Sequence, residues 1–319
     1  MKVNAAPIVP NRLTEGDTIG VVAPASPFET ERFQRGLKVL KSMGFQIVYE
    51  EGLFKRNGYL AGADTHRANQ LQRFFSDDTI DGIICARGGF GSIRVLSYLD
   101  FNVIRQNPKC FIGFSDITAL LSVFYAESTL VTYHGPTVTT LATASKISRD
   151  FFQTALLSES PLQIVPSKGV TLQSGIASGR VVGGNLTTLC HLTGTPFQPD
   201  FNRHILFIED TGESEYRIDR MLTQMKLAGC FNGVVGLGLG SFRGCGKIED
   251  IYKIVKGIFK EDRIPILGGL PIGHGRTNLT IPVGLAATLN ADKKMLTFDE
   301  PATMEPPWRV EGGYESGHS

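Results

Sequence analysis

Cys110-Phe111-Ile112-Gly113-Phe114-Ser115-Asp116 is an apolar run that stops at glycine, and Ile117, Leu120, Leu121 and Phe124 follow it with helical spacing. An uninterrupted apolar run suits a strand covered on both faces, and the recurrence after it marks one face of a helix. A short turn joining the two makes the strand-to-helix corner of a parallel sheet, and ligands of such sheets gather at the carboxyl ends of the strands. A serine at that corner is lifted above the sheet edge, where the N–H groups that open the helix face any negative charge developing beside it. Ile117 stands where the full Gly-x-Ser-x-Gly pattern would have a second glycine, and Ser and Asp are also ordinary helix caps. The motif therefore needs partners elsewhere in the chain before it means catalysis.

Working outward, the first half alternates strand-like and helical patterns. Strands are expected at 18–25, 46–50, 80–86, 110–114 and 130–134, with helices at 30–43, 64–75, 92–99 and 116–127 between them. Ile83-Ile84-Cys85-Ala86 is again apolar throughout, so the reading is an α/β fold with a parallel sheet. Residues 163–178 turn polar and glycine-rich without a period. They divide the chain into an N-terminal α/β domain at 1–165, a linker at 166–178 and a C-terminal β/α domain at 179–319. In the second half, strands are expected at 179–182, 204–209, 233–239, 265–268 and 285–289, with a helix at 216–228 that sets Ile218, Met221, Leu222 and Met225 on one face. Residues 290–294 connect a hairpin, and the tail beyond Glu305 is expected to be loose.

Composition narrows the class of partner. The 319 residues carry 32 Lys and Arg against 31 Asp and Glu, interspersed, which leaves no electrostatic footprint for nucleic acid or a membrane surface. Residues 1–17 hold prolines and polar groups where a secretory signal needs an apolar stretch, and no run reaches the length of a membrane span, so the expected location is cytoplasmic. Five scattered cysteines read as reduced thiols, and the six histidines form no metal-ligand spacing, so neither a metal nor a cofactor is assigned.

Two strand ends supply the partners that Ser115 needs. The run from His204 to Ile208 ends in Glu209 and Asp210, which either deliver a carboxylate to a site or begin a solvated turn. Gly273-His274-Gly275 leaves an imidazole sterically open on a loop after an apolar strand. His134, in Tyr133-His134-Gly135, competes with it. Arg87-Gly88-Gly89-Phe90-Gly91 lacks the lysine of a phosphate loop and the length of a dinucleotide fingerprint, and is better suited to offering N–H donors to an oxyanion. Ser115, Glu209 and His274 run in the nucleophile, acid, base order of the α/β-hydrolases, although order alone decides little.

Together with Gly20-Val21-Val22-Ala23-Pro24-Ala25-Ser26-Pro27 and Gly183-Gly184-Asn185-Leu186, these motifs resemble the L,D-carboxypeptidases over nearly the whole chain. That family of serine peptidases includes murein tetrapeptide carboxypeptidase and the microcin C immunity peptidases. The resemblance implies a flavodoxin-like N-terminal domain, a swivelling-type C-terminal domain and a site between them. It further implies Ser115 as nucleophile, Glu209 as carboxylate and His274 as base, with N–H groups of Asp116 and of Gly88 or Gly89 in the oxyanion region. The implied reaction is hydrolysis of the L-Lys or meso-diaminopimelate to D-Ala bond of peptidoglycan tetrapeptides, by a homodimer. Arg87 is nominated for the substrate's terminal carboxylate, and Arg243 after it. Two alternatives stand beside this one. A peptidyl- or aminoacyl-nucleotide hydrolase would need an aromatic surface, for which Trp308 is the sole tryptophan. A non-catalytic two-domain protein would close on a small ligand.

Overall fold

The computed structural model describes residues 6–305, so Trp308 and the tail expected after Glu305 lie outside the described residues. Strand β1 (Thr18–Val22) leads into α1 (Thr30–Ser42), β2 (Gln46–Val48), α2 (Asp64–Ser76), β3 (Gly82–Cys85), α3 (Phe101–Gln106), β4 (Cys110–Gly113), α4 (Thr118–Ser128) and β5 (Thr132–His134). Helices α5 (Val138–Leu141) and α6 (Lys146–Leu157) carry the chain to β6 (Pro161–Ile164), β7 (Val170–Gln173) and β8 (Ile176–Asn185). Then follow α7 (Leu186–Leu192), β9 (His204–Thr211), α8 (Glu215–Leu227), β10 (Gly236–Arg243), α9 (Ile248–Ile258) and β11 (Ile266–Gly268). Strands β12 (Ile281–Val283), β13 (Ala286–Asn290) and β14 (Met295–Pro301) come last.

The first sheet has the order β2-β1-β3-β4-β5-β12, parallel from β2 to β5. Strand parity explains why its strands are apolar on both faces. Val21, Ile84 and Ile112 enter one buried cluster, while their neighbours Val22, Ile83 and Phe111 enter another on the opposite face. The second sheet has the order β6-β14-β13-β8-β9-β10-β11-β7. Its centre, β8 to β11, is parallel, and antiparallel strands flank it. The expected hairpin forms between β13 and β14, with Asn290 opposite Met295. All five cysteines are buried and unpaired.

The sequence reading places no element at α3, α6, β6, α7 or α9, and three further departures bear on the sheets and the glycine loop. The stretch at 166–178 holds β7 and the start of β8. Strand β7 is a half-exposed edge strand, so its polar sequence resembles a loop. Strand β12 returns from the second half to pair antiparallel with β5, Ile281 opposite His134, so the first sheet draws on both ends of the chain. Its three residues include Pro282, which an edge position tolerates. The expected helix at 92–99 is a 3₁₀ helix, Ser92–Tyr98, entered through Gly91 at φ +118°.

Candidate active site

Ser115 opens the turn between β4 and α4 with φ +64°, a left-handed conformation that costs a non-glycine residue energy and holds its Oγ at the carboxyl edge of the first sheet. Glu209 lies near the carboxyl end of β9, and His274 on the loop after β11. The three side chains meet. His274 Nε2 is 3.1 Å from Ser115 Oγ, and His274 Nδ1 is 2.7 Å from Glu209 Oε2. The same carboxylate oxygen accepts the backbone N–H of His274 at 3.0 Å. Glycine makes that approach possible, because a Cβ on Gly273 would stand 2.2 Å from Glu209 Oε2. The loop is also pinned to the first half: Asn278 Oδ1 accepts from Gly273 N–H at 2.8 Å, and Asn278 N–H donates to Ser148 Oγ of α6 at 3.0 Å.

Charge and burial set the proton positions. Glu209 is fully buried, and its oxygen fixes the proton on Nδ1, which leaves the Nε2 lone pair to accept from the Ser115 hydroxyl. Burial disfavours the His274 imidazolium, yet the hydrogen bond and charge of Glu209 outweigh it and raise the imidazole above its ordinary pKa. Asn185 is a supporting residue that the sequence reading missed. Its Nδ2 reaches Glu209 Oε1 at 3.3 Å and Asp210 Oδ1 at 3.1 Å, while its Oδ1 caps α7 through Thr188 N–H at 3.0 Å. An asparagine directly before the apolar start of a helix is the signal that could have found it. Asp210 itself faces Thr187, whose N–H and hydroxyl it accepts at 2.9 and 2.8 Å.

The glycine loop adjoins the serine. A Cβ on Gly88 would lie 3.2 Å from Ser115 Oγ, whereas a Cβ on Gly89 would collide with Ser26. The Asp116 side chain turns away to accept Ser92 N–H at 2.8 Å, tying the Ser115 turn to this loop. Arg67, buried, donates to the Pro24 and Gly91 carbonyls and braces the loop from below. His134 stays outside the constellation: fully buried, it packs edge-on against the rings of Phe114 and Phe207, and burial pushes its imidazole down to about 4.

A cavity of about 230 Å³ opens at His274, lined among others by Arg32, Arg243, Arg276, Phe114 and Asn278. Arg32 is held there by the Thr139 carbonyl, which accepts its Nε–H at 3.0 Å. Arg87 is not among the lining residues; its guanidinium donates instead to the Pro27 carbonyl at 2.8 Å. A long side chain next to a site in sequence need not point into it, and here Arg243, from the end of β10, faces the cavity.

Residues 19–135 match the LD-carboxypeptidase N-terminal domain, and residues 178–289 match the LD-carboxypeptidase C-terminal domain. The chain belongs to the LD-carboxypeptidase family. It is 37% identical over 307 residues to a probable murein peptide carboxypeptidase of Bacillus subtilis, covering 91% of this chain and 94% of that protein. It is 30% identical to the murein tetrapeptide carboxypeptidase of Pseudomonas aeruginosa, covering 86% of this chain and 94% of that one. The crystal structure of an MccF-like protein from Bacillus anthracis superposes with a TM-score of 0.87 at 28% identity, over 92% of this chain and 99% of the other. This LD-carboxypeptidase is thus an enzyme, a carboxypeptidase with two sheets and a parallel N-terminal one, as expected from the sequence. Among the described residues, no helix is long and apolar enough to cross a membrane.

Proposed function

We propose that this LD-carboxypeptidase is a serine-type enzyme that removes the terminal D-Ala from peptidoglycan tetrapeptides, cutting its bond to L-Lys or meso-diaminopimelate. The observation that carries the reading is the continuous hydrogen-bond chain from Ser115 through His274 to Glu209, opening on a cavity rich in arginine. Relatives named for murein peptides support the substrate class. The division of labour follows the sequence, with Ser115 on the 1–165 unit and Glu209 and His274 on the 179–319 unit.

His274 Nε2 takes the Ser115 proton as Oγ bonds to the substrate carbonyl carbon, and Glu209 stabilises the imidazolium. The tetrahedral oxyanion lies against the N–H groups of Asp116 and of Gly88 or Gly89. Collapse breaks the C–N bond, and the departing D-Ala amine takes the proton from His274. Water, deprotonated by His274, then cleaves the acyl ester and restores Ser115. Arg243 reads the free C-terminal carboxylate of the substrate.

Incubation with free tetrapeptide, followed by mass spectrometry, should show loss of one D-Ala. Ser115→Ala and His274→Ala should each slow it by roughly 10⁴-fold or more, and the double variant should lose little further, because the groups act as a unit. Full activity in Ser115→Ala would remove the assignment.

A second reading has one observation of its own. Tyr59 and Phe90, the latter directly after Gly88 and Gly89, form an exposed aromatic pair with ring centroids 5.6 Å apart, and such a pair can stack a nucleobase. Hydrolysis of an aminoacyl-adenylate analogue, weakened by Phe90→Ala while tetrapeptide cleavage persists, would favour it.

A further inference from the structure

A cavity of about 600 Å³ lies away from Ser115, between the end of α4 and the starts of β8 and β9. Its walls include Ser122 and Tyr125 of α4, Arg180 of β8, and Asp200, Arg203 and His204 leading into β9. Two of the three elements it bridges carry a member of the Ser115-His274-Glu209 chain at their other ends: α4 follows Ser115, and β9 reaches Glu209.

The polar groups here are arranged rather than scattered. His204 Nδ1 donates to the Asn202 carbonyl at 2.7 Å, so Nε2 is left to accept the Tyr125 hydroxyl at 3.1 Å. Burial first, and the Arg180 charge after it, keep this imidazole on the neutral side. The Tyr125 oxygen in turn takes a hydrogen bond from the Arg180 side chain, so His204, Tyr125 and Arg180 form one connected wall. Ser122 lines the same cavity, is more than nine-tenths buried, and its hydroxyl has no hydrogen-bond partner. A buried hydroxyl without a partner costs free energy that an acceptor on a ligand would recover.

Two guanidinium groups against one carboxylate give the walls a surplus positive charge, with His204 neutral. A cavity of this volume exceeds what a single small ion or amino acid fills. We propose that it is a second binding site, separate from the cavity at His274, for a short acidic peptide with free termini. The peptide's carboxylates pair with Arg180 and Arg203, a carbonyl takes the Ser122 hydroxyl, and its ammonium group faces Asp200. Asp200 is what sets a zwitterionic peptide above a polyanion such as a nucleotide, since a carboxylate in the wall repels added phosphate charge.

The test uses the tripeptide Ala-Glu-Ala as probe, titrated by calorimetry into the full-length protein. Binding should weaken at least 10-fold in Arg180→Gln and in Arg203→Gln, and by a smaller factor in Ser122→Ala, while tetrapeptide hydrolysis without the probe is unchanged. Arg203 is exposed, so its variant should fold normally, as circular dichroism would verify. Arg243→Gln should leave the probe's affinity for this site unaltered. No binding at millimolar probe, or binding lost in Arg243→Gln and kept in both other arginine variants, would overturn the proposal. Because the readout is binding, it stands apart from whether Ser115 performs the hydrolysis.

Discussion

His274 can act as a base only when neutral, and the chain around it raises its pKa above that of a free imidazole. Below the raised value the imidazolium, stabilised by Glu209, dominates and Ser115 has no acceptor for its proton. The rate of kcat/KM should therefore climb with pH through an inflection above about 6.5, the ordinary histidine value. Glu209→Gln removes the charge that raises the pKa and leaves the burial that lowers it, so the inflection should move down and kcat should fall by roughly 10³- to 10⁴-fold. A pH–rate profile of both proteins checks this, and an unmoved inflection would mean that another group titrates. His134, near 4, is too low to produce it. At the arginine-lined cavity, Arg243→Gln should raise KM by roughly 10- to 100-fold with kcat little altered if Arg243 reads the substrate's carboxylate, since a charge-assisted hydrogen bond contributes about 1.5–3 kcal/mol. A substrate lacking the terminal carboxylate should show no such difference between the two proteins.

At the scale of elements, the site depends on where strands end and helices begin. Asn185 closes β8, caps α7 and donates to Glu209 and Asp210, so Asn185→Ala strikes a cap and the carboxylate's support together. Loss of the cap should cost about 1 kcal/mol, and the drop in kcat should exceed what that destabilisation explains. Thermal melts beside steady-state kinetics separate the two effects. The loop after β3 is a second sensitive element. A Cβ at Gly88 would stand 2.9 Å from the Ser115 Cβ, so Gly88→Ala should displace the serine and lower kcat by at least 10-fold, with a melting temperature near that of the parent. Retention of full activity would show that the loop yields.

The whole molecule is joined by apolar packing that ignores chain order. Val21 and Ile84 of the first sheet belong to the same buried cluster as Phe207 and Leu239 of the second. Strand β12, from the second half, completes the first sheet beside β5. Unfolding should accordingly be one cooperative event: denaturant curves followed by far-ultraviolet circular dichroism and by fluorescence should coincide. Ile281→Ala, at a fully buried position on β12, should cost about 2–5 kcal/mol and shift both curves equally. A separate early transition would show that the halves unfold independently.

Read alone, the sequence determined the strand-to-helix corner at Ser115, the parallel first sheet and the three strand-end residues, because apolar periodicity and glycine breaks are local signals. It also carried the resemblance that names the family. Tertiary structure alone decided that Ser115, His274 and Glu209 touch, since their contact depends on loops returning across two sheets. Direction of long side chains was equally out of reach: Arg87 turns to Pro27, and Arg243 faces the cavity. Edge strands such as β7 and β12 stayed hidden for different reasons: β7 is half-exposed and polar, while β12 is only three residues long and contains Pro282. Asn185 went unread as a cap, and its hold on Glu209 required the carboxyl ends of β8 and β9 to lie side by side.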